Sequence, residues 1–499
     1  MKLYTKNTPK VLEQLKKGEI DRISFALGGF TDEVLKEMFQ LGIIDIFVEL
    51  FSDKRADNAF IPSQALLVLA TAAKMKRMCA ITDIPHAVTS PQLLDKLDYN
   101  LCEIKDENND LMTEGAIRAY VSKYTAEELV DAYNHLAGEV IRRMGFDLEP
   151  SIHQHDSTNL EVNLQNGNYE RSEVTKGKKG EPVRGYKLNT SRLMLEQGGL
   201  IERVSLSSIK THDLEASREM LENPIHIKES DMLVYDRGYI DRELINTLKR
   251  RKDITVVVPA KKSMHIFKES MSLAISQNDW RVHPNPQRKG QEIKLIKDMG
   301  MTWESEAMGD KKPENIKEED VPLNTCVIRI DKKKDKGRST PEEEICHEEK
   351  GYKYVVLVTS DTTLTGAEII RRYETRPEIE EDYRQLKDVW GLDNFTSTKY
   401  KNIVFHIVMM LVAYLFYQVY KNTEAGARYG NKSLSTILDT YELSNINDVK
   451  ISKVTIYYKS MFGIIEFEDF LDIYAECGKD VRAKIKAVIK RPACYLIEK

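Results

Sequence analysis

The sequence predicts a multidomain α/β chain: a mixed sheet with flanking helices, interrupted by a mainly β insertion and bracketed by helical N- and C-terminal regions. Three observations predict it. At 499 residues the chain is several times a minimal domain. Apolar residues recur at helical spacing to about residue 145, and after Pro150 the texture changes to short strand-like runs. Near residue 262 those runs give way to a polar, turn-rich stretch, and they resume at Tyr354. The expected segments are therefore 1–145, 146–261, 262–350, 351–421 and 422–499.

In the first segment, Val34, Leu35, Met38, Phe39, Ile43, Ile44, Phe47 and Val48 place one helix over 31–51, and a second apolar run covers 61–75. Thr125 and Glu128 form a capping box ahead of Leu129, Tyr133, Leu136 and Val140, with Gly145 just past the end. The stretch 103–110, rich in Asn and acids, is expected as a loop. Strands follow at 151–156, 186–188 with 193–195, 200–206 after a Gly198-Gly199 turn, and 232–236. A helix at 242–250 and a strand at 254–259 come next. Five prolines (Pro284, Pro286, Pro313, Pro322, Pro341) and the run Lys332-Lys333-Lys334 mark the insertion, and strand writing returns over 354–359 before helices to about Lys421. The tail is expected to be mainly helical. The run 403–420 has just the length of a membrane span, but it carries His406 and Gln418 and has no second such run beside it; a buried core helix is expected.

With 41% hydrophobic and 31% charged residues, the composition excludes a collagen, a fibre and a wholly disordered chain. A net charge of −5 means that any claim of nucleic-acid binding must rest on local charge. Six cysteines without a CxxC pair, and no secretory signal pattern, lead us to expect a reduced, cytoplasmic setting without a structural zinc finger.

Three acids stand out by context. Asp156 follows His153-Gln154-His155 at the expected end of a strand, and Asp236 follows the apolar run Met232-Leu233-Val234-Tyr235. A carboxylate held at the end of a buried strand is desolvated, and a divalent cation is one way to pair it; a turn-capping Asp is the bland alternative. Glu380 is the third. On an unbroken helix Tyr373, Arg376, Glu380 and Lys387 share one flank, beside an apolar stripe of Ile379, Tyr383, Leu386 and Trp390. An acid among a guanidinium, an ammonium and a phenol suits a metal held near phosphates, against a solvated face of i,i+4 pairs. Pro377 interrupts this helix, and Thr375 with Glu378 could form a capping box that restarts it.

Together these motifs resemble the bacterial insertion-sequence transposases with an Asp-Asp-Glu triad, and within them the superfamily with the signature Tyr-x2-Arg-x3-Glu-x6-Lys, the insertion-sequence-four type. Tyr373, Arg376, Glu380 and Lys387 have that spacing; Asp156-Ser157-Thr158 and Asp236-Arg237-Gly238-Tyr239 match the contexts of the two Asp residues. Pro377 departs from the family, whose members often place Trp there. The resemblance covers roughly 150–420 and implies a ribonuclease-H-like core with a mainly β insertion between Asp236 and Glu380. It implies that Asp156, Asp236 and Glu380 are catalytic and hold two Mg²⁺ ions, with Mn²⁺ as a substitute. It also implies cut-and-paste transposition: strand cleavage at element ends, release through hairpin ends, and strand transfer into target DNA. Tyr373, Arg376 and Lys387 would contact the DNA backbone, and Trp280 or Trp303 could stack on a flipped base, though a core Trp is the first expectation. The partners implied are double-stranded DNA, as terminal inverted repeats and as target, and a second copy of the chain in a paired-end complex, with no membrane. The enzyme would be nucleoid-associated when on DNA, with residues 1–145 recognising the terminal repeats.

Local charge fits such a partner. Lys178, Lys179 and Arg184 lie in one basic stretch, and Arg237, Arg250 and Arg251 follow Asp236; Lys479, Arg482, Lys484, Lys486, Lys490 and Arg491 crowd the tail. Two rival readings remain: a metal-dependent hydrolase using His153 and His155 with His212-Asp213, and a catalytically idle transposase-derived DNA-binding protein.

Overall fold

The computed structural model describes residues 5–25, 30–55, 63–86, 114–177, 180–222, 227–299, 320–334, 346–427, 429, 436 and 453–489. Two compact units divide the chain, residues 1–132 with 386–499 and residues 133–385.

The first unit begins with β1 (Thr5–Lys6), α1 (Thr8–Lys17), β2 (Arg22–Phe25), α2 (Phe30–Gln40), α3 (Ile43–Leu50), α4 (Ser63–Met75) and α5 (Glu114–Ser122). Asn7 caps α1 by accepting the Lys10 N–H, and Pro9 sits in the first turn, where its missing N–H costs nothing. The single helix expected over 31–51 is two helices. Gly42 separates them at φ +67°, a conformation glycine adopts without strain, and a 3.6-residue apolar period continues across so brief a break. α6 (Ala126–Met144) has the expected capping box: Thr125 Oγ1 accepts the Glu128 N–H and Glu128 accepts the Thr125 N–H. The expected loop at 103–110 lies outside the described residues.

The second unit is built on one mixed sheet. Its elements are β3 (Ile152–Val162), β4 (Glu173–Lys176), β5 (Pro182–Leu195), β6 (Gly198–Ser208), α7 (Asp213–Glu222), β7 (Met232–Tyr235), α8 (Arg242–Lys252), β8 (Thr255–Pro259), α9 (His265–Ser276), β9 (Arg281–Val282), β10 (Gln291–Met299), β11 (Leu323–Asp331), β12 (His347–Glu349), β13 (Tyr352–Thr359), α10 (Gly366–Tyr373) and α11 (Pro377–Arg384). The strand order is β4-β5-β3-β7-β8-β13-β11-β10-β9, with β6 on β5 and β12 on β13. β3, β7 and β8 run parallel; β5 and β6 are antiparallel to their neighbours.

Two strands differ from expectation in ways that matter for the site. β3 does not end at Asp156 but continues to Val162, because β5 pairs with it from Leu193 to Arg184. The hairpin from β5 to β6 turns at Glu196-Gln197, since Leu195 pairs with Gly198, so both glycines belong to the strand. The segment expected as an insertion contributes β9, β10 and β11 to the same sheet, and α9 buries Ile266, Phe267 and Met271 in the core cluster that packs along it. The physical reason lies in β11: its apolar residues fall on both faces, and it pairs with β13 over eight positions.

The chain then returns to the first unit through a π-helical turn at Gln385–Val389, α12 (Tyr400–Lys421), α13 (Glu424–Ala427), β14 (Lys453–Tyr458), β15 (Met461–Glu466), α14 (Phe467–Glu476) and α15 (Lys479–Val488). The apolar run 403–420 lies in α12 and is buried throughout by protein, against α2 and α4 among others. Beside its helices, the tail carries two strands among its described residues. The hairpin β14–β15 joins β1 and β2 in a four-stranded sheet of order β1-β15-β14-β2. Thr455, Ile456, Tyr457 and Tyr458 supply the β-branched and aromatic side chains that favour strand over helix there.

Candidate active site

Register brings the two aspartates together. His155 of β3 pairs in parallel with Tyr235 of β7, so the next residues, Asp156 and Asp236, stand side by side across the two strands. Each acid turns one oxygen to its own backbone: Asp156 Oδ1 accepts the Ser157 N–H at 2.8 Å, and Asp236 Oδ1 accepts the Arg237 N–H at 2.7 Å, capping the short helix Arg237–Tyr239. Each turns its other oxygen to Arg376: Nη2 lies 3.5 Å from Asp156 Oδ2 and 3.5 Å from Asp236 Oδ2. The two oxygens are therefore no farther apart than twice that distance. Glu380, one helical turn beyond Arg376, completes the set with Oε1 at 2.5 Å from Nη1. The three acids predicted from sequence thus converge on one guanidinium.

The environment is graded. The Asp156 side chain is 14% exposed, Asp236 37% and Glu380 55%, so the cluster opens toward solvent on the Glu380 side. Burial pushes the Asp156 carboxyl up to about 7, with Asp236 and Glu380 adding to the rise and Arg376 and the Ser157 N–H opposing it. For Arg376 burial works against the charge, but the three acids, Asp156 first, more than offset it and hold the guanidinium above its ordinary range. Its Nε is buried and has no hydrogen-bond partner. As they stand, no three acid, His or Cys side chains among the described residues form a ready metal cage; a cation already stands between the acids, and it belongs to Arg376. The donor set is all oxygen and carries three carboxylates, which suits a hard divalent ion.

α11 carries Glu380, and Pro377 at its first turn is accommodated because the helix starts there. The capping box expected from Thr375 and Glu378 does not form. Arg376 is the N-cap residue without a side-chain cap, and the Thr375 hydroxyl instead donates to the Arg372 carbonyl and accepts from Gln154 Nε2. The break after α10 and the π-helical turn at Gln385–Val389 also mean that the flank expected for Tyr373, Arg376, Glu380 and Lys387 is not one straight helical face. Arg376 and Glu380 keep their i,i+4 pairing. Tyr373 ends α10 and packs against the cluster around Ile369 and Ile370. Lys387 lies in the π-helical turn, in the other unit.

Sequence reasoning missed a second layer. Arg192 of β5, 2% exposed, lies beneath α11: Nε donates to Asp382 Oδ2 at 2.6 Å, Nη2 to Glu378 Oε2 at 3.0 Å and Nη1 to Gln154 Oε1 at 3.2 Å. Tyr383 donates to the Asp156 carbonyl at 2.8 Å and bonds Thr190 Oγ1 at 2.5 Å. Asp213 accepts from Ser157 Oγ at 2.6 Å and from Lys187 Nζ at 2.9 Å. An Arg amid the apolar residues of a strand was the available signal for the first of these.

The other expected DNA contacts are scattered. Arg250 and Arg251 are exposed in the last turn of α8. Arg184 bonds the Leu164 carbonyl and Ser172 Oγ, tying down the turn before β4. Arg237 is half-buried beside Asp236. Trp280 packs against the core with the Arg329 guanidinium 4.2 Å over its ring, which covers one stacking face and agrees with a core role. Lys178, Lys179 and Trp303 lie outside the described residues.

His153 and His155 point to the opposite side of β3 from Gln154 and Asp156, as strand alternation requires. His153 is clasped by Glu202 at 2.7 Å and Asp231 at 3.1 Å, whereas His155 Nδ1 lies 2.9 Å from Ser217 Oγ and its ring stands edge-on to Tyr235. They do not converge with His212-Asp213, whose acid is held by Ser157 and Lys187.

A comparison with curated proteins returns no match. Residues 149–416 match the transposase DDE domain family, a span that contains all three converging acids and more than half of the chain; the chain belongs to that family.

Proposed function

We propose that the chain is a cut-and-paste DNA transposase of the Tyr-Arg-Glu-Lys type, with Asp156, Asp236 and Glu380 as its catalytic acids. The observation that carries this reading is the convergence of the three on Arg376. Family membership supports transposition and DNA as substrate. The strand order β6-β5-β3-β7-β8, three antiparallel strands followed by two parallel to the first, supports a ribonuclease-H-like core.

Asp156, Asp236 and Glu380 would hold two Mg²⁺ ions, or Mn²⁺ in their place. Such a pair supplies an activated water or 3′-hydroxyl nucleophile and charge stabilisation at the leaving 3′-oxygen. The protein's own part is positioning. Backbone N–H groups fix one oxygen of each Asp, and the other, now turned to Arg376, is the one that would take a cation. Arg376, relieved of the acids' charge, has donors for a non-bridging phosphate oxygen, and the signature gives Tyr373 and Lys387 as further contacts to the DNA backbone. Hairpin ends, a homodimeric paired-end complex and a nucleoid-associated cytoplasmic setting follow from the same type.

The experiment is selection of binding sites from random DNA, followed by cleavage of the selected ends with Mg²⁺. The proposal expects nicks at one defined position, hairpin products on a denaturing gel, and no products from Asp236→Ala. Binding without cleavage would favour the idle DNA-binding descendant.

A further inference from the structure

We propose that Arg192 is the positioning residue for Glu380, acting through a two-sided clamp that joins the helix of the third acid to the strand of the first. The inference rests on the function proposed above. Its geometry is independent of any metal.

Glu380 is the most exposed acid of the three and sits on a helix of eight residues that begins at a proline, so little in α11 itself fixes its orientation. Arg192 grips that helix from below. Glu378 and Asp382, the residues two before and two after Glu380, are one turn apart and share the face opposite Glu380. Both receive the Arg192 fork, Nη2 to Glu378 at 3.0 Å and Nε to Asp382 at 2.6 Å. The remaining nitrogen, Nη1, reaches Gln154, two residues before Asp156 and on the same face of β3, and Gln154 bonds Thr375 beside Arg376. One side chain thus links the back of the Glu380 helix, the strand of Asp156 and the turn that presents Arg376. The guanidinium is planar and presents its donors in fixed directions, so this set of bonds defines both the rotation and the height of α11.

The neighbouring strand is shaped around it. At Gly199 of β6, a Cβ would collide with the Arg192 guanidinium, at Cζ and at both Nε and Nη2. Glycine leaves the volume that the clamp occupies. A charged side chain that is 2% exposed, fully engaged on both sides and provided with a cleared space is placed to hold a geometry.

The test uses the full chain and supercoiled plasmid DNA carrying the end sequences returned by binding selection, with Mn²⁺ as the metal. Nicking rate at saturating DNA, the Mn²⁺ concentration for half-maximal nicking, metal-free plasmid affinity and the Mn²⁺-induced rise in melting temperature are measured for wild type, R192Q, R192K, E378Q and G199A. A positioning role predicts that R192Q loses on the order of tenfold or more in rate and needs on the order of tenfold more Mn²⁺, as partners behind metal ligands do, while plasmid affinity stays within about twofold. R192K, which keeps the charge but not the fork, recovers only part, and E378Q and G199A show the same shift in smaller measure. If R192Q does not fold, E378Q, altered at a half-exposed position, and G199A decide by the same readouts. Folded variants with wild-type rate and Mn²⁺ demand overturn the clamp and leave the transposase reading standing. A wild type that never nicks, yet gains a Mn²⁺-induced rise in melting temperature that the variants lose, overturns the activity and leaves the clamp. No such rise and no nicking in the wild type overturns both.

Discussion

The Tyr383 hydroxyl donates to the main-chain oxygen of Asp156 across 2.8 Å, so the helix that bears one candidate acid is bonded to the backbone of another. The same hydroxyl lies 2.5 Å from Thr190 Oγ1, directly across the ladder from Asp156. Tyr383→Phe removes both bonds and leaves a buried hydroxyl and a carbonyl short of a partner. We expect a loss of about 1–2 kcal/mol in urea unfolding, and a lower rate of metal-dependent nicking with unchanged DNA affinity.

Arg376 is the cation that now neutralises Asp156, Asp236 and Glu380. Arg376→Gln leaves three acids facing one another without it. Melting should fall, by about 3 kcal/mol in stability if the pairing behaves as a buried one, and added Mn²⁺ should raise the melting temperature of the variant more than that of wild type. A variant as stable as wild type without metal would show that the acids do not depend on this guanidinium.

His153 gives a pH signature separate from the site. Burial alone would lower its basicity, but Glu202 and Asp231 on either side override that and hold the imidazole up at about 9. A group raised in the fold stabilises fully below its unfolded value, near 6.5, and loses that contribution as pH rises through 9. The stability difference between wild type and His153→Gln should therefore shrink between about pH 6.5 and 9, by about 3 kcal/mol at full span. A constant difference across that window would remove the charge from this cluster.

The three converging acids were legible because each has a local signal that outlasts the changes around it. Asp156 and Asp236 each follow a residue paired across two parallel strands, although β3 runs on past Asp156, and Glu380 keeps its i,i+4 partner Arg376, although the longer flank is broken. The capped helix through Leu136 and the buried run around His406 were legible for the same reason. What was not legible depends on distant partners. Arg192 meets Asp382 across a separation of 190 positions, and β2 meets β14 from opposite ends of the chain, so neither relation has a local signal. The π-helical turn that contains Lys387 and the glycine break at Gly42 alter helical phase without altering the apolar period. Thr375 had the spacing of a cap, but Gln154 and the Arg372 carbonyl took its hydroxyl first.

The most direct measurement of the central claim is the Mn²⁺-dependent nicking rate of Asp156→Asn, Asp236→Asn and Glu380→Gln, each checked for fold by circular dichroism and for DNA affinity. The account predicts that every one of the three falls on the order of a thousandfold or more, still binding DNA. A folded variant at any of these positions that nicks at close to the wild-type rate would contradict it.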